Sequence, residues 1–130
     1  MSKGALLKLL QHKHLIVRAE IESPPFETGP VEDWLRKLIS DLGMNILYGP
    51  FAMYCDLEHN EGMTAGCILS TSHCVLHTWD KCEPAILQLD LYTCSDLDPA
   101  MIHEAIEIFK PTKIEQKFLD REHGLVEITS

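Results

Sequence analysis

Apolar and polar positions along the chain follow two different periods. Between positions 30 and 43 the apolar residues recur at helical spacing, with Val31, Trp34, Leu35, Leu38, Ile39 and Leu42 on one stripe that closes at Gly43. Pro30 suits a first helical position, and Glu32 and Asp33 suit the positive end of the helix. A second helix is predicted where Asp98 can cap and Pro99 can take the first turn. Met101, Ile102, Ala105, Ile106 and Phe109 form its buried face, and Pro111 stops it. Around these helices the period shortens to two, predicting strands over 13–22, 45–57, 63–70, 73–79, 85–93 and 112–120.

The order strand, helix, several strands, helix, strand predicts an α+β fold, a two-layer sandwich with an antiparallel sheet and helices on one face. A chain of 130 residues is expected to form one domain over 1–130. The fifth strand shows how the two sides of the sheet differ. Leu87, Leu89 and Leu91 point one way, while Gln88, Asp90, Tyr92 and Cys94 point the other. One face is therefore expected to pack on helices and the other to line a cleft or a subunit interface. At the start, Ala5-Leu6-Leu7 and Leu9-Leu10 with Lys3 and Lys8 predict a short amphipathic helix over Met1 to Gln11 rather than a signal peptide.

Charge narrows the set of partners. A net charge of -9 argues against a phosphate backbone, whose binding rests on clustered Lys and Arg, so no nucleic acid is expected. No stretch reaches the roughly 20 apolar residues needed to cross a bilayer, and a soluble, cytoplasmic chain is expected. Cys55, Cys67, Cys74, Cys82 and Cys94 form an odd set without a CxxC pair, so neither a disulfide framework nor a zinc ribbon is indicated. Cys55, Cys67 and Cys82 read as inert small residues. Asp56, Glu58, His59, Asn60, Glu61 and Gly62 read as a polar hairpin tip, and Trp34 as core.

Reactive residue types concentrate in Thr71-Ser72-His73-Cys74-Val75-Leu76-His77-Thr78-Trp79 and, after a turn, Asp90-Leu91-Tyr92-Thr93-Cys94. Ser72 and His77 are an odd number of residues apart and cannot share a face of one regular strand, so a kink near Ser72 would be needed to join them. Cys94 ends a strand that can pair with the one carrying His77, which would let a serine, a histidine and a thiol converge. His73 and His77 share a strand face while Cys74 takes the other, and no carboxylate or second thiol sits at ligand spacing; no metal is expected.

The first segment resembles the Ser-His-x-x-x-His-Thr-Trp motif of prokaryotic S-adenosylmethionine decarboxylases, and the second resembles their Asp-x-(Phe/Tyr)-Thr-Cys motif. The His14-Leu15-Ile16-Val17 strand, the helix after Cys94 and the chain length fit the same family in pattern. The resemblance implies a cofactor made from the chain itself, a pyruvoyl group derived from Ser72. In that chemistry the Ser72 hydroxyl attacks the Thr71 carbonyl and turns the peptide bond into an ester. Loss of the residue-72 α-proton then expels the Thr71 carboxylate and cuts the chain, and hydrolysis with release of ammonia leaves the pyruvoyl terminus.

His77 is the residue implied for proton transfer, imidazole being the side chain that titrates nearest neutrality. Thr64 occupies the place of a hydroxyl residue that assists processing. In turnover the pyruvoyl carbonyl would take up the substrate amine as a Schiff base and accept the electrons released with carbon dioxide, and Cys94 would protonate the substrate carbon. Phe51 and Trp79 are candidates to stack on an adenine. A homodimer with sites near the interface and a role in spermidine synthesis are also implied.

Two departures bear on the substrate and on processing. Thr71 stands where the family more commonly has an acidic residue or Lys, and its β-branch restricts the backbone at the scissile bond. After Trp79 the family usually continues Pro-Glu, with the glutamate on the substrate ribose; this chain reads Asp80-Lys81-Cys82-Glu83-Pro84. Lys81 cannot accept hydroxyl hydrogen bonds, which leaves Glu83 as the candidate replacement. The readings kept open are a decarboxylase of S-adenosylmethionine, one of ornithine or arginine, and an unprocessed, noncatalytic relative acting as a structural or regulatory partner.

Overall fold

The computed structural model describes residues 11–129. Seven strands form one antiparallel sheet: β1 (Lys13–Ile21), β2 (Ile46–Cys55), β3 (Gly62–Leu69), β4 (Ser72–Trp79), β5 (Ala85–Thr93), β6 (Pro111–Asp120) and β7 (Val126–Glu127). Their spatial order is β2-β3-β4-β5-β1-β6-β7, so β3, β4 and β5 run side by side and β1 inserts between β5 and β6. Helices α1 (Thr28–Asp41) and α2 (Pro99–Ala105), the latter continued by a 3-10 turn at Ile106–Phe109, join the same core. The α+β two-layer sandwich expected from the sequence is the observed architecture. The terminal helix expected over Met1 to Gln11 falls almost wholly outside the described residues.

Alternation along each strand builds the core. Leu15, Val17, Ala19 and Ile21 of β1 are buried, as are Met63, Ala65, Cys67 and Leu69 of β3 and Leu87, Leu89 and Leu91 of β5. They meet Val31, Leu35, Leu38 and Ile39 of α1 and Ile102 of α2 in one apolar cluster. Among the described residues, no helix lies over the opposite face of the sheet. Ile16, Phe51, Met53 and Ile68 are exposed there. Replacing Leu89, 1% exposed in a central strand, by Ala is expected to cost about 2–5 kcal/mol in denaturant unfolding through the cavity it leaves.

Several boundaries differ from those expected. α1 starts at Thr28, two residues before Pro30, because a proline in the first turn has no helical N–H bond to lose. Asp98 caps α2 by accepting from the Ala100 N–H at 3.0 Å, as read. The helix tightens at Ile106 rather than running on, and Lys110 closes it at φ 52°. The following Pro111 disfavours a right-handed helical conformation at Lys110. Met101, expected on the buried face, is exposed, and Leu97 is buried near it in the core. Trp34 lies at the edge of the core, donating to the Ala105 carbonyl at 2.8 Å and packing edge-on against Phe109.

Candidate active site

The turn between β3 and β4 is two residues long, Ser70 and Thr71, since Leu69 pairs with Ser72. So tight a reversal favours positive φ, and Thr71 adopts φ 55°. For a β-branched residue this is an uncommon conformation, costing on the order of 1–3 kcal/mol. The Ser70 carbonyl collects three donors: the Thr71 hydroxyl at 2.7 Å, the Ser72 hydroxyl at 3.2 Å and the Cys94 thiol at 3.3 Å. Antiparallel pairing of β5 with β4 delivers Cys94 to this turn. Ser72 is buried on the helix side, and Thr93 is buried beside Cys94 in the chain.

Thr64 and His77 form a second constellation. They stand opposite each other across β3 and β4, with Thr64 Oγ1 and His77 Nδ1 3.1 Å apart. The Trp79 ring lies 6.2 Å from that of His77, and its Nε1–H donates to Asn60 at 2.9 Å. Cys55, Thr64, His77 and Trp79 border a cavity of about 290 Å³. Gly62 is required at its floor, because a Cβ there would collide with the Thr78 carbonyl oxygen.

The structure does not bring Ser72 and His77 together within the chain. β4 runs unbroken from Ser72 to Trp79, with no kink near Ser72. Five residues at about 3.3 Å each separate the two side chains by about 16 Å along the strand. They also point to opposite faces: Ser72, Cys74, Leu76 and Thr78 are buried, while His73, Val75, His77 and Trp79 lie on the open face. Convergence therefore holds for the serine and the thiol alone. Phe51 is on the open face beside Gly66, with Tyr48 6.3 Å from its ring. Glu83 is exposed in the β4–β5 turn, as is Lys81, at the end of the sheet away from Ser72.

Two features were not read from the sequence. Asp80, directly after β4, accepts from the Tyr54 hydroxyl at 2.7 Å, and its Oδ1 is buried with no hydrogen-bond partner. The hydrogen bond to this carboxylate, reinforced by desolvation, pushes the Tyr54 hydroxyl up to about 12. The other feature is a three-strand cluster on the open face. His14 Nε2 of β1 and His73 Nε2 of β4 meet the same oxygen of Asp90 on β5, at 2.7 and 2.8 Å. A carboxylate does stand next to His73, but sheet register supplies it rather than nearby sequence. His73 and Asp90 border a groove of about 560 Å³ that also reaches Arg18, Val75 and His77.

Burial works against the ionised form of Asp90, but the hydrogen bonds and charges of His73 and His14 outweigh it and hold the carboxyl below its ordinary value of 3.8. A lowered carboxyl stabilises the fold above the unfolded-state value and loses that contribution as pH falls through the folded one. The stability advantage of the natural chain over Asp90→Asn is thus expected to stay level from about pH 5 upward with respect to this carboxyl and to shrink below pH 3.8. Urea unfolding of both proteins across that range measures it.

Relatives decide what this arrangement belongs to. The sequence model described as S-adenosylmethionine decarboxylase matches residues 26–122, about three quarters of the chain. The chain belongs to the S-adenosylmethionine decarboxylase family. It is 32% identical over 88 residues to the S-adenosylmethionine decarboxylase proenzyme of Clostridium botulinum, covering 65% of this chain and 71% of that protein. It is 39% identical over 64 residues to the proenzyme of Pyrobaculum islandicum, covering 48% and 50%. The crystal structure of the adenosylmethionine decarboxylase from Aquifex aeolicus superposes with a TM-score of 0.66 over 93% of this chain and 97% of that one; at 19% identity it shows the shared fold. The family assignment made from the two motifs thus stands. Among the described residues no helix is long and apolar enough to cross a membrane.

Proposed function

We propose that the chain cuts itself between Thr71 and Ser72 and then decarboxylates S-adenosylmethionine. The observation that carries this reading is the Ser70 carbonyl, around which the serine to be converted and the thiol meant to deliver a proton both gather, beside a Thr71 in a strained conformation. Relief of that strain when the peptide bond becomes an ester would favour the acyl shift. The place also suits a pyruvoyl terminus: Ser72 opens β4 at a turn, so the cut severs no strand. The pyruvoyl group supplies the electron sink for decarboxylation. Cys94 holds a proton at that end of the site and gives it to the substrate carbon. A thiol set 3.3 Å from the neighbouring carbonyl is positioned for this.

Thr64 and His77 then have to act from elsewhere. About 16 Å and a face of the sheet separate them from Ser72 in one chain, but the sheet face, uncovered among the described residues, allows a second copy to supply them. Two copies laid open face to open face, with strands reversed, would bring the Thr64–His77 end of one over the Ser72–Cys94 end of the other, where Ser72, next to the β3–β4 turn, would swing from the helix side toward the partner to meet them. Exposed Ile16, Phe51, Met53 and Ile68 would be buried in that contact. The homodimer is accordingly part of the proposal: His77 moves the proton and the Thr64 hydroxyl donates to the oxygen that gains charge as Ser72 attacks. S-adenosylmethionine would meet Trp79 and Phe51 on the open face, and its conversion would serve spermidine synthesis in the cytoplasm.

The Asp80–Glu83 connection favours a second reading of the substrate. The unpaired carboxylate oxygen of Asp80 is buried and Glu83 is exposed in the turn, so neither glutamate register nor ribose contact is evident there. A basic amino acid such as ornithine or arginine would take a carboxylate equally well. Parallel measurement of carbon dioxide release from S-adenosylmethionine, ornithine and arginine decides between them. Release from S-adenosylmethionine at least tenfold faster is expected; preference for either amino acid overturns the substrate assignment. No release from any of them by a chain that stays uncut would favour the unprocessed, noncatalytic partner.

A further inference from the structure

We propose that His73, Asp90 and His14 are positioning residues that hold the start of β4 in register once residue 72 has lost its bond to Thr71. The inference rests on the self-cutting reading. In the uncut chain the first residue of β4 is tied by its peptide bond to Thr71, by its pairing with Leu69 of β3 and by its hydroxyl, which donates to Ser70 at 3.2 Å. Cutting removes the first tie, and conversion removes both the hydroxyl and the amide N–H of residue 72. The strand must then be held from residue 73 onward, at the place where sub-ångström placement beside Cys94 matters most.

His73 is built to do this. Its backbone pairs with Ile68 on β3 and Tyr92 on β5, and its side chain donates to Asp90 at 2.8 Å. The same Asp90 oxygen receives His14 of β1, so one carboxylate oxygen joins three neighbouring strands. Arg121 fixes the direction of these bonds. Its guanidinium N–H donates to His14 Nδ1 at 3.3 Å, which puts the proton of a neutral His14 on Nε2, facing Asp90. The guanidinium also lies 4.3 Å over the Tyr92 ring, against which both histidine rings pack with centroids 5.7 and 5.8 Å away. Nε2, Nε2 and the carboxylate oxygen are close enough together for a metal ion. A proton on Nε2 and a cationic Arg121 behind the ring make His14 a hydrogen-bond donor here instead of a ligand.

Amide exchange read by mass spectrometry tests the proposal in two backgrounds, the cut chain and an uncut Ser72→Ala chain, each with Asp90 or Asp90→Ala. Losing the shared acceptor is expected to speed exchange of the amides at 73–75 about tenfold in the cut protein and less than about twofold in the uncut one. Asp90→Asn keeps an acceptor oxygen and is expected to restore most of the protection. An equal rise in both backgrounds would show general packing, and no rise in the cut protein would show no role; either overturns the proposal. If Asp90→Ala does not fold, His73→Gln read in the same two backgrounds replaces it, with the same outcomes. The intact mass of the natural chain separates the two layers of inference. A chain that never cuts overturns the self-cutting reading and this proposal with it, whereas a cut chain with unchanged exchange overturns this proposal alone.

Discussion

A His77→Ala chain is expected to remain whole on its own and to regain cutting when refolded together with a Ser72→Ala chain. The reason is the distance between the two constellations. β4 is straight, so His77 lies about 16 Å from Ser72 and faces the other way. If a second copy supplies His77, the mixed dimer contains one complete site, with Ser72 and Cys94 from the His77→Ala chain and Thr64 and His77 from the Ser72→Ala chain. Alone, His77→Ala should cut about 10²- to 10⁴-fold more slowly, the usual loss for a positioned proton-transfer group. In the mixture, up to about half of the His77→Ala chains should be cut, because random pairing of equal amounts gives that share of Ser72→Ala partners. Thr64→Ala should behave in the same way with a smaller loss, since the hydroxyl hydrogen-bonds where His77 moves a proton. Cutting of the His77→Ala chain without its partner, or none in the mixture, would contradict the split site.

Cys94→Ala is expected to separate the two chemistries. Its thiol reaches the Ser70 carbonyl through a weak S–H donor, so the cut at Thr71–Ser72 should persist within a few-fold. Carbon dioxide release by the cut protein should fall by about 10²- to 10⁴-fold, because the substrate carbon has lost its proton donor. Cys94→Ser, which keeps an O–H, should lie between the two. Fragment formation on a gel and decarboxylation by the same samples give both numbers. Loss of cutting in Cys94→Ala would move the thiol from turnover into processing.

The difference between what sequence shows and what only the sheet shows is physical. Leu87, Leu89 and Leu91 alternate with Gln88, Asp90 and Tyr92, so the two faces of β5 were legible from period alone. The Asp98–Pro99 start of α2 was legible because capping is local. Ser72, His77 and Cys94 could be singled out by residue type and spacing, yet their mutual placement depended on whether β4 kinks. It does not, so a convergence of three became a pair at the Ser70 carbonyl and a separate pair at Thr64. The His14–Asp90–His73 cluster joins positions up to 76 apart in sequence, and only the placement of β1 beside β5 creates it. The pairing of Asp80 was not legible for a similar reason, as its partner Tyr54 comes from β2, two strands away. The short β7 carries too little pattern to be read as a strand.

The claim on which the rest stands is that Ser72 is converted, and intact mass spectrometry of the purified natural chain, under reducing and denaturing conditions, tests it directly. The account predicts two fragments, residues 1–71 and a 59-residue remainder (130 less 71) that is lighter by one ammonia than the same fragment beginning with serine. A single full-length mass that persists through prolonged incubation, with Ser72→Ala indistinguishable from the natural chain in this respect, would contradict it.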